Sequence, residues 1–153
     1  MPIDPKILKL QRVGPLVKAT FGHADPDIET LEALGIEAPV PVDLIGFLDT
    51  GAANTLIKYG TATGLGIIPC DRKQIRGIEM TYITAIGYYG HLTFAGSVIV
   101  PCVAFEALPR NHPCDALIGR DVLQHAIWTY NGPSGEFELS IRRTRVPMYE
   151  IPE

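Results

Sequence analysis

Leu44-Ile45-Gly46-Phe47-Leu48-Asp49-Thr50-Gly51-Ala52-Ala53-Asn54-Thr55 is the stretch on which the reading of the chain turns. An apolar run rich in strand formers stops on one carboxylate, followed by a hydroxyl residue, a glycine and small residues. A carboxylate so placed sits at the mouth of a core. There, lost solvation of the charged form suits it to acid/base work. Asp, Thr and Gly are also common turn residues, so the stretch alone reads equally as an ordinary turn. The rest of the chain has to separate the two.

With 153 residues, 46% of them hydrophobic, the chain fits one domain, 1–153, with a substantial core. A net charge of -4, with Lys and Arg scattered, provides no phosphate-tracking stripe, so no nucleic-acid partner is expected. Arg142, Arg143 and Arg145 form the one basic cluster and read as a solvated end beside a Pro-containing tail. The opening Met1-Pro2-Ile3-Asp4-Pro5-Lys6 has no apolar leader, and no stretch reaches the roughly 20 apolar residues of a membrane span. The expectation is a soluble, cytoplasmic protein without a membrane partner. Cys70, Cys102 and Cys114 are an odd set suited to a reducing compartment. His112 and Cys114 could join Cys102 around zinc, which gives a metal or redox module as one reading. Without a CxxC element the thiols read instead as buried or incidental, so no metal and no cofactor is expected.

Residues 8–21 read as extended, broken at Gly14-Pro15, with a strand over 16–21. Asp25-Pro26-Asp27 supplies cap chemistry for a short helix carrying Ile28, Leu31, Leu34 and Ile36, which Gly35 closes. Pro39 and Pro41 then precede the strand 42–48. Residues 54–59 resemble one or two helical turns ended by Gly60, and Gly64-Leu65-Gly66 reads as a turn. The longest strand-like region, 78–103, reads as consecutive hairpin strands interrupted by Gly87, Gly90 and Gly96. Within it, Ile86-Gly87-Tyr88-Tyr89-Gly90-His91 sets two aromatics between glycines at a hairpin tip. Such a tip either covers a ligand or is a plain hairpin with partly buried tyrosines. His91, His23 and His125 read as surface or packing residues.

Beyond a loop at Pro109-Arg110-Asn111-His112-Pro113, a short apolar strand meets Gly119, and Asp121 is placed to cap a helix through about Ala126. Ile127-Trp128-Thr129-Tyr130 and Phe137-Glu138-Leu139-Ser140-Ile141 flank Asn131-Gly132-Pro133-Ser134-Gly135, a hairpin signal. The fold class is therefore all-β with two or three short helices, without internal repeats.

Two elements belong together: Leu48-Asp49-Thr50-Gly51-Ala52 and, further on, Ala116-Leu117-Ile118-Gly119-Arg120-Asp121. In this order, with a glycine-containing hairpin between, the pair resembles the retropepsin-like aspartic proteases over roughly residues 40–141. Gly119-Arg120-Asp121-Val122-Leu123, Tyr130-Asn131-Gly132-Pro133 and the helix before the Asp loop are most similar to the small bacterial members. The resemblance implies an acid-protease half-barrel that forms a homodimer, with residues 1–12 as an extension and 142–153 as a tail.

It also implies a mechanism. One chain supplies one Asp loop, whereas activating a water takes two facing carboxylates, one charged and one protonated. Asp49 from each subunit would share a proton across the two-fold axis. By similarity Thr50 bonds across that axis and Gly51 points an amide at the carboxylate. Leu117, Ile118, Gly119, Arg120 and Asp121 would support the loop. Ala52, Ala53 and the flap residues Ile86, Gly87, Tyr88, Tyr89 and Gly90 would meet an extended polypeptide substrate. Ala52 stands where pepsin-type members often carry a hydroxyl, which implies a less acidic working range. Ala53 replaces an acid that pairs, in viral members, with the arginine here numbered 120, leaving Arg120 to find another carboxylate. The alternative is a catalytically silent peptide-binding or assembly module of the same fold. A partly desolvated carboxylate pair costs stability that a mere binder has no need to spend.

Overall fold

A computed structural model describes residues 2–76 and 81–152. In chain order the elements are α1 (Pro5–Val13), β1 (Leu16–Gly22), α2 (Asp25–Ala33), β2 (Val42–Leu48), β3 (Leu56–Lys58), α3 (Thr61–Gly64) and β4 (Pro69–Arg76). There follow β5 (Tyr82–Phe94), β6 (Val98–Leu108), β7 (Ala116–Ile118), α4 (Arg120–Leu123), β8 (Ala126–Asn131), β9 (Glu136–Ile141) and β10 (Thr144–Val146). The described chain is mostly β with short helices, the class read from the sequence.

Seven strands lie in the order β1-β2-β7-β3-β6-β5-β4, and a further β1–β5 pairing closes six of them into a barrel, leaving β4 outside. Closure brings Gly22 opposite His91 and Phe21 opposite Leu92. A Cβ on Gly90 would lie 2.6 Å from both the Gly22 carbonyl oxygen and the Phe21 ring, so only glycine lets the strands cross there. A second sheet, β10-β9-β8, lies beside the barrel. One core joins both: Phe21, Leu48, Ile57, Leu92, Phe94 and Ile118 from the barrel pack with Leu139 and Ile141 from β9. Each such fully buried side chain is worth about 1.5–3 kcal/mol of transfer free energy.

Two local readings change, and one strand is added. Residues 8–13 are helical, not extended: the Asp4 carboxylate accepts the Lys6 N–H at 2.8 Å, Pro5 opens the first turn, and Leu10 is buried. Residues 56–58 form a strand, because Leu56 and Ile57 are drawn between β6 and β7; tertiary pairing overrides the local helical pattern. Pro69–Arg76, which carries no apolar periodicity, is a strand paired to β5 and exposed except at Ile75.

Segments near both ends of the described residues are tied to the fold. Lys6 Nζ meets Glu136 at 3.1 Å, and that pairing holds the ammonium above its usual pKa. The Tyr149 N–H donates to the Leu16 carbonyl at 2.8 Å. Arg142 (φ 48°) and Arg143 (φ 70°) form the two-residue turn between β9 and β10, and Arg142 Nη1 donates to the Ile99 carbonyl at 2.8 Å. The basic cluster is thus a tight hairpin turn. No described helix is long and apolar enough to cross a membrane.

Candidate active site

β2 runs parallel to β7, with Leu48 opposite Ile118, and β3 runs antiparallel to the same strand, with Leu56 opposite Leu117. The link between β2 and β3 must therefore pass over the end of β7. That link is the Asp-Thr-Gly stretch. The Asp49 N–H donates to the Ile118 carbonyl at 2.9 Å, the Arg120 N–H to the Ala52 carbonyl at 2.8 Å and the Asp121 N–H to the Ala53 carbonyl at 3.3 Å. A Cβ on Gly119 would stand 2.6 Å from the Asn54 carbonyl group and 3.0 Å from the Ala52 carbonyl oxygen. The two sequence elements separated by about seventy residues are one hydrogen-bonded unit, and glycine permits their close approach.

Asp49 is half-buried at the rim, and its Oδ1 accepts the Gly51 N–H at 2.8 Å. Among the described residues no other donor reaches its carboxylate. Thr50 is exposed; its hydroxyl has no partner among the described residues, while its carbonyl accepts Arg120 Nη1 at 2.6 Å. Arg120 thus bonds the loop backbone, where a carboxylate had been expected. Asp121 also departs from expectation. Gly119 occupies the N-cap of α4, with no side-chain cap bond. The Asp121 carboxylate accepts the Val122 N–H at 3.0 Å but turns mainly to Thr55, accepting its hydroxyl at 2.8 Å and its N–H at 3.1 Å.

Thr55 is fully buried, and its hydroxyl also accepts the Gly119 N–H at 3.1 Å. Sequence reading missed this residue. Its signal is a hydroxyl where an otherwise apolar strand begins, since a buried polar group there needs partners. Glu106 was missed as well. It is buried in β6 and takes the Gly60 N–H at 3.1 Å on both oxygens and the Thr63 hydroxyl at 3.3 Å, anchoring the start of α3. One acid in an apolar run is its sequence signature.

The hairpin tip expected at residues 86–90 is not there. Ile86, Gly87, Tyr88, Tyr89 and Gly90 lie within the continuous strand β5, paired to β6 throughout, and the turn between these strands falls at Ala95-Gly96-Ser97. Gly87 and Gly90 are needed for close packing, not for a bend. A Cβ on Gly87 would stand 2.7 Å from Val103 and 2.8 Å from the Phe105 ring. Tyr88 is 5% exposed in the main core, where burial first and Glu106 second raise its phenol above the usual pKa. Tyr89 is partly exposed on the opposite face, edge-on to His91. Residues 78–80 of the strand-like region lie outside the described residues.

A second, smaller cluster packs next to the Asp loop: Ala85, Phe105 and Ala107, with Leu56, Ile75 and Val103 against them. Leu56 follows the loop directly, and Ile75 projects from β4. Leu56 of β3, Phe105 of β6, Ala85 of β5 and Ile75 of β4 therefore share one apolar face of the sheet, which begins at the residue that follows the Asp loop. Ala52 is half-buried and Ala53 exposed in the loop itself.

Among the described residues no three His, Cys, Asp or Glu side chains cluster as a metal site. Cys102 is buried in β6, where burial holds its thiol protonated well above the ordinary range. Cys114 is half-buried and likewise raised, by burial and then by Asp115. His112 Nδ1 lies 3.1 Å from the Cys114 backbone N–H.

No protein-family model and no curated protein matches the sequence. In structure the chain is similar to the retroviral protease-like domain of Ddi1 from Leishmania major, with 16% identity, 89% of this chain and 95% of that one covered, and a TM-score of 0.48. It is also similar to the EIAV protease complexed with the inhibitor HBY-793, with 19% identity, 54% of this chain and 75% of that one covered, and a TM-score of 0.38. The described chain is itself a mostly β barrel with short helices, in which the Asp-Thr-Gly loop crosses the end of β7, just before Gly119.

Proposed function

We propose that the chain is an aspartic endopeptidase, active as a homodimer in which Asp49 of each subunit meets across a two-fold axis. One observation carries the reading. The Asp49 carboxylate, at the tip of a loop braced from behind by Arg120, Asp121 and Thr55, accepts a single hydrogen bond and keeps its remaining lone pairs unengaged among the described residues. Beside it the Thr50 hydroxyl is exposed and unpartnered, as a bond across the axis requires.

The chemistry follows from pairing two such carboxylates. Two close carboxylates cannot both ionise cheaply, so the pair holds one proton. The ionised member takes a proton from a water as that water attacks the peptide carbonyl, and the protonated member donates to the carbonyl oxygen. Collapse of the tetrahedral species breaks the C–N bond as a proton passes to the leaving amine. An extended polypeptide lies against the half-buried Leu56 and Ile75, over the cluster that Phe105 anchors. The β4–β5 hairpin, at whose base residues 86–88 pair with β4, is the covering arm.

Asp49→Asn tests this directly. Cleavage of casein or a peptide library should vanish, while sedimentation still shows a dimer and the melting temperature stays close to the parent. Cleavage by the variant at the parental rate, or a parent that is strictly monomeric while active, would overturn the proposal.

A further inference from the structure

We infer that Lys73 and Asn54 form a subsite selecting an acidic side chain of the substrate near the scissile bond. The inference rests on reading Asp49 as half of a peptidase site, and it adds the class of substrate that site takes.

Strand β4 is exposed along nearly its whole length, yet Ile75 packs inward and Lys73 reaches Asn54 of the Asp loop. Ile75 joins the cluster around Phe105. Lys73, on the same strand face, stands with Nζ 5.5 Å from the centroid of the Phe105 ring and 3.5 Å from Asn54 Oδ1. Cross-strand register agrees, since Lys73 lies opposite Ala85 and Ile75 opposite Ile83, and Ala85 belongs to the same cluster. Among the described residues, this apolar face next to the Asp loop carries one ammonium and one amide at its edge.

That ammonium has no carboxylate within ion-pair distance among the described residues. Lys6 pairs with Glu136 and Lys58 with Asp115, but Lys73 has only a ring face and a long contact to an amide oxygen. Asp71 on the same strand turns its carboxylate to the Arg72 N–H at 2.7 Å. A ring face and one amide oxygen leave much of an ammonium's hydrogen-bonding capacity unused. Asn54 likewise keeps its amide nitrogen unpartnered among the described residues. A carboxylate arriving here meets a cation and a neutral donor together, the combination that makes charge-assisted hydrogen bonds. A lysine or arginine arriving here meets like charge beside low-dielectric wall, which penalises it. Glutamine fills the same space without either effect. Because Asn54 belongs to the loop that carries Asp49, the selected side chain lies close to the bond being cut.

The test uses matched peptides that share one apolar cleavage pair and carry Glu, Gln or Lys at each flanking position in turn, cleavage being followed by mass spectrometry and kcat/KM. At one position the parent should prefer Glu over Gln by about tenfold, and Gln over Lys, as expected for a charge-assisted contact. The preference should shrink in high salt. In Lys73→Gln the Glu-to-Gln ratio should fall to about one, and Lys73→Glu should invert the order in favour of Lys peptides. Because each ratio is internal to one variant, a change in overall rate does not imitate it, and an inverted preference requires a folded site. Cleavage indifferent to charge, or a Glu preference that survives Lys73→Gln, would overturn the inference and leave the peptidase reading standing. A parent no more active than Asp49→Asn on every peptide would overturn that reading, and this inference with it.

Discussion

Asp49 and Asp121 sit in the two halves of one hydrogen-bonded unit, and the fold treats them in opposite ways. Asp49 accepts one N–H and presents the rest of its carboxylate at the rim. Asp121 is consumed: the Thr55 hydroxyl, the Thr55 N–H and the Val122 N–H all donate to it. Residue type does not distinguish these two acids, and neither does proximity to a glycine. What distinguishes them is how many lone pairs the chain itself occupies. An acid with its acceptors filled is a brace, and an acid with them open is available for chemistry.

Four substitutions press on that contrast, the first most strongly. Asp49→Asn should lower kcat by about a hundredfold to ten-thousandfold, the range for loss of acid/base catalysis, with little change in melting temperature. Gly119→Ala forces a Cβ against the Asn54 backbone, and chemical denaturation should register a loss of about 3 kcal/mol. Asp121→Ala should cost about 2 kcal/mol by leaving buried Thr55 donors unsatisfied; a double-mutant cycle with Thr55→Val should show a coupling of about 1 kcal/mol. If Asp121→Ala instead lowers kcat with stability intact, the contrast breaks and Asp121 belongs to the chemistry. Arg120→Ala should matter least, about 0.5–1 kcal/mol, because the guanidinium is exposed and only its bond to the Thr50 carbonyl is lost. A several-fold fall in kcat would accompany it, since that bond steadies the backbone beside Asp49.

How far the sequence disclosed this arrangement depended on where each residue's reason lay. β2 was legible to its last residue, since an apolar run of strand formers ending on Asp49 needs only local pattern to be read. The β8–β9 hairpin was legible because Asn131-Gly132-Pro133 names its own turn. α1 carried its signal in Asp4 and Pro5, but the apolar residues that follow suited an extended reading equally well. β4 was silent: it buries only Ile75, so it has no hydrophobic period to detect. Gly87 and Gly90 misled, because a glycine demanded by a distant ring is spelled like a glycine demanded by a turn. At the site, Asp49 and the Leu117-Ile118-Gly119 support were readable from paired motifs. The partners of Arg120 and Asp121 were not, since a carbonyl acceptor leaves no mark in sequence and Thr55 is an ordinary residue until its burial is known.

The insertion of β7 between β2 and β3 also orders events in time. The strands that carry and follow Asp49 do not pair with each other but both pair with residues 116–118. A ribosome that has released residues up to 100 has made the whole Asp-Thr-Gly loop, and the loop still lacks the bonds to residues 118–121 that brace it. Contacts this distant in sequence form late and slowly. The chain therefore carries a built-in delay: the carboxylate is synthesised well before residues 116–118, on which its position depends.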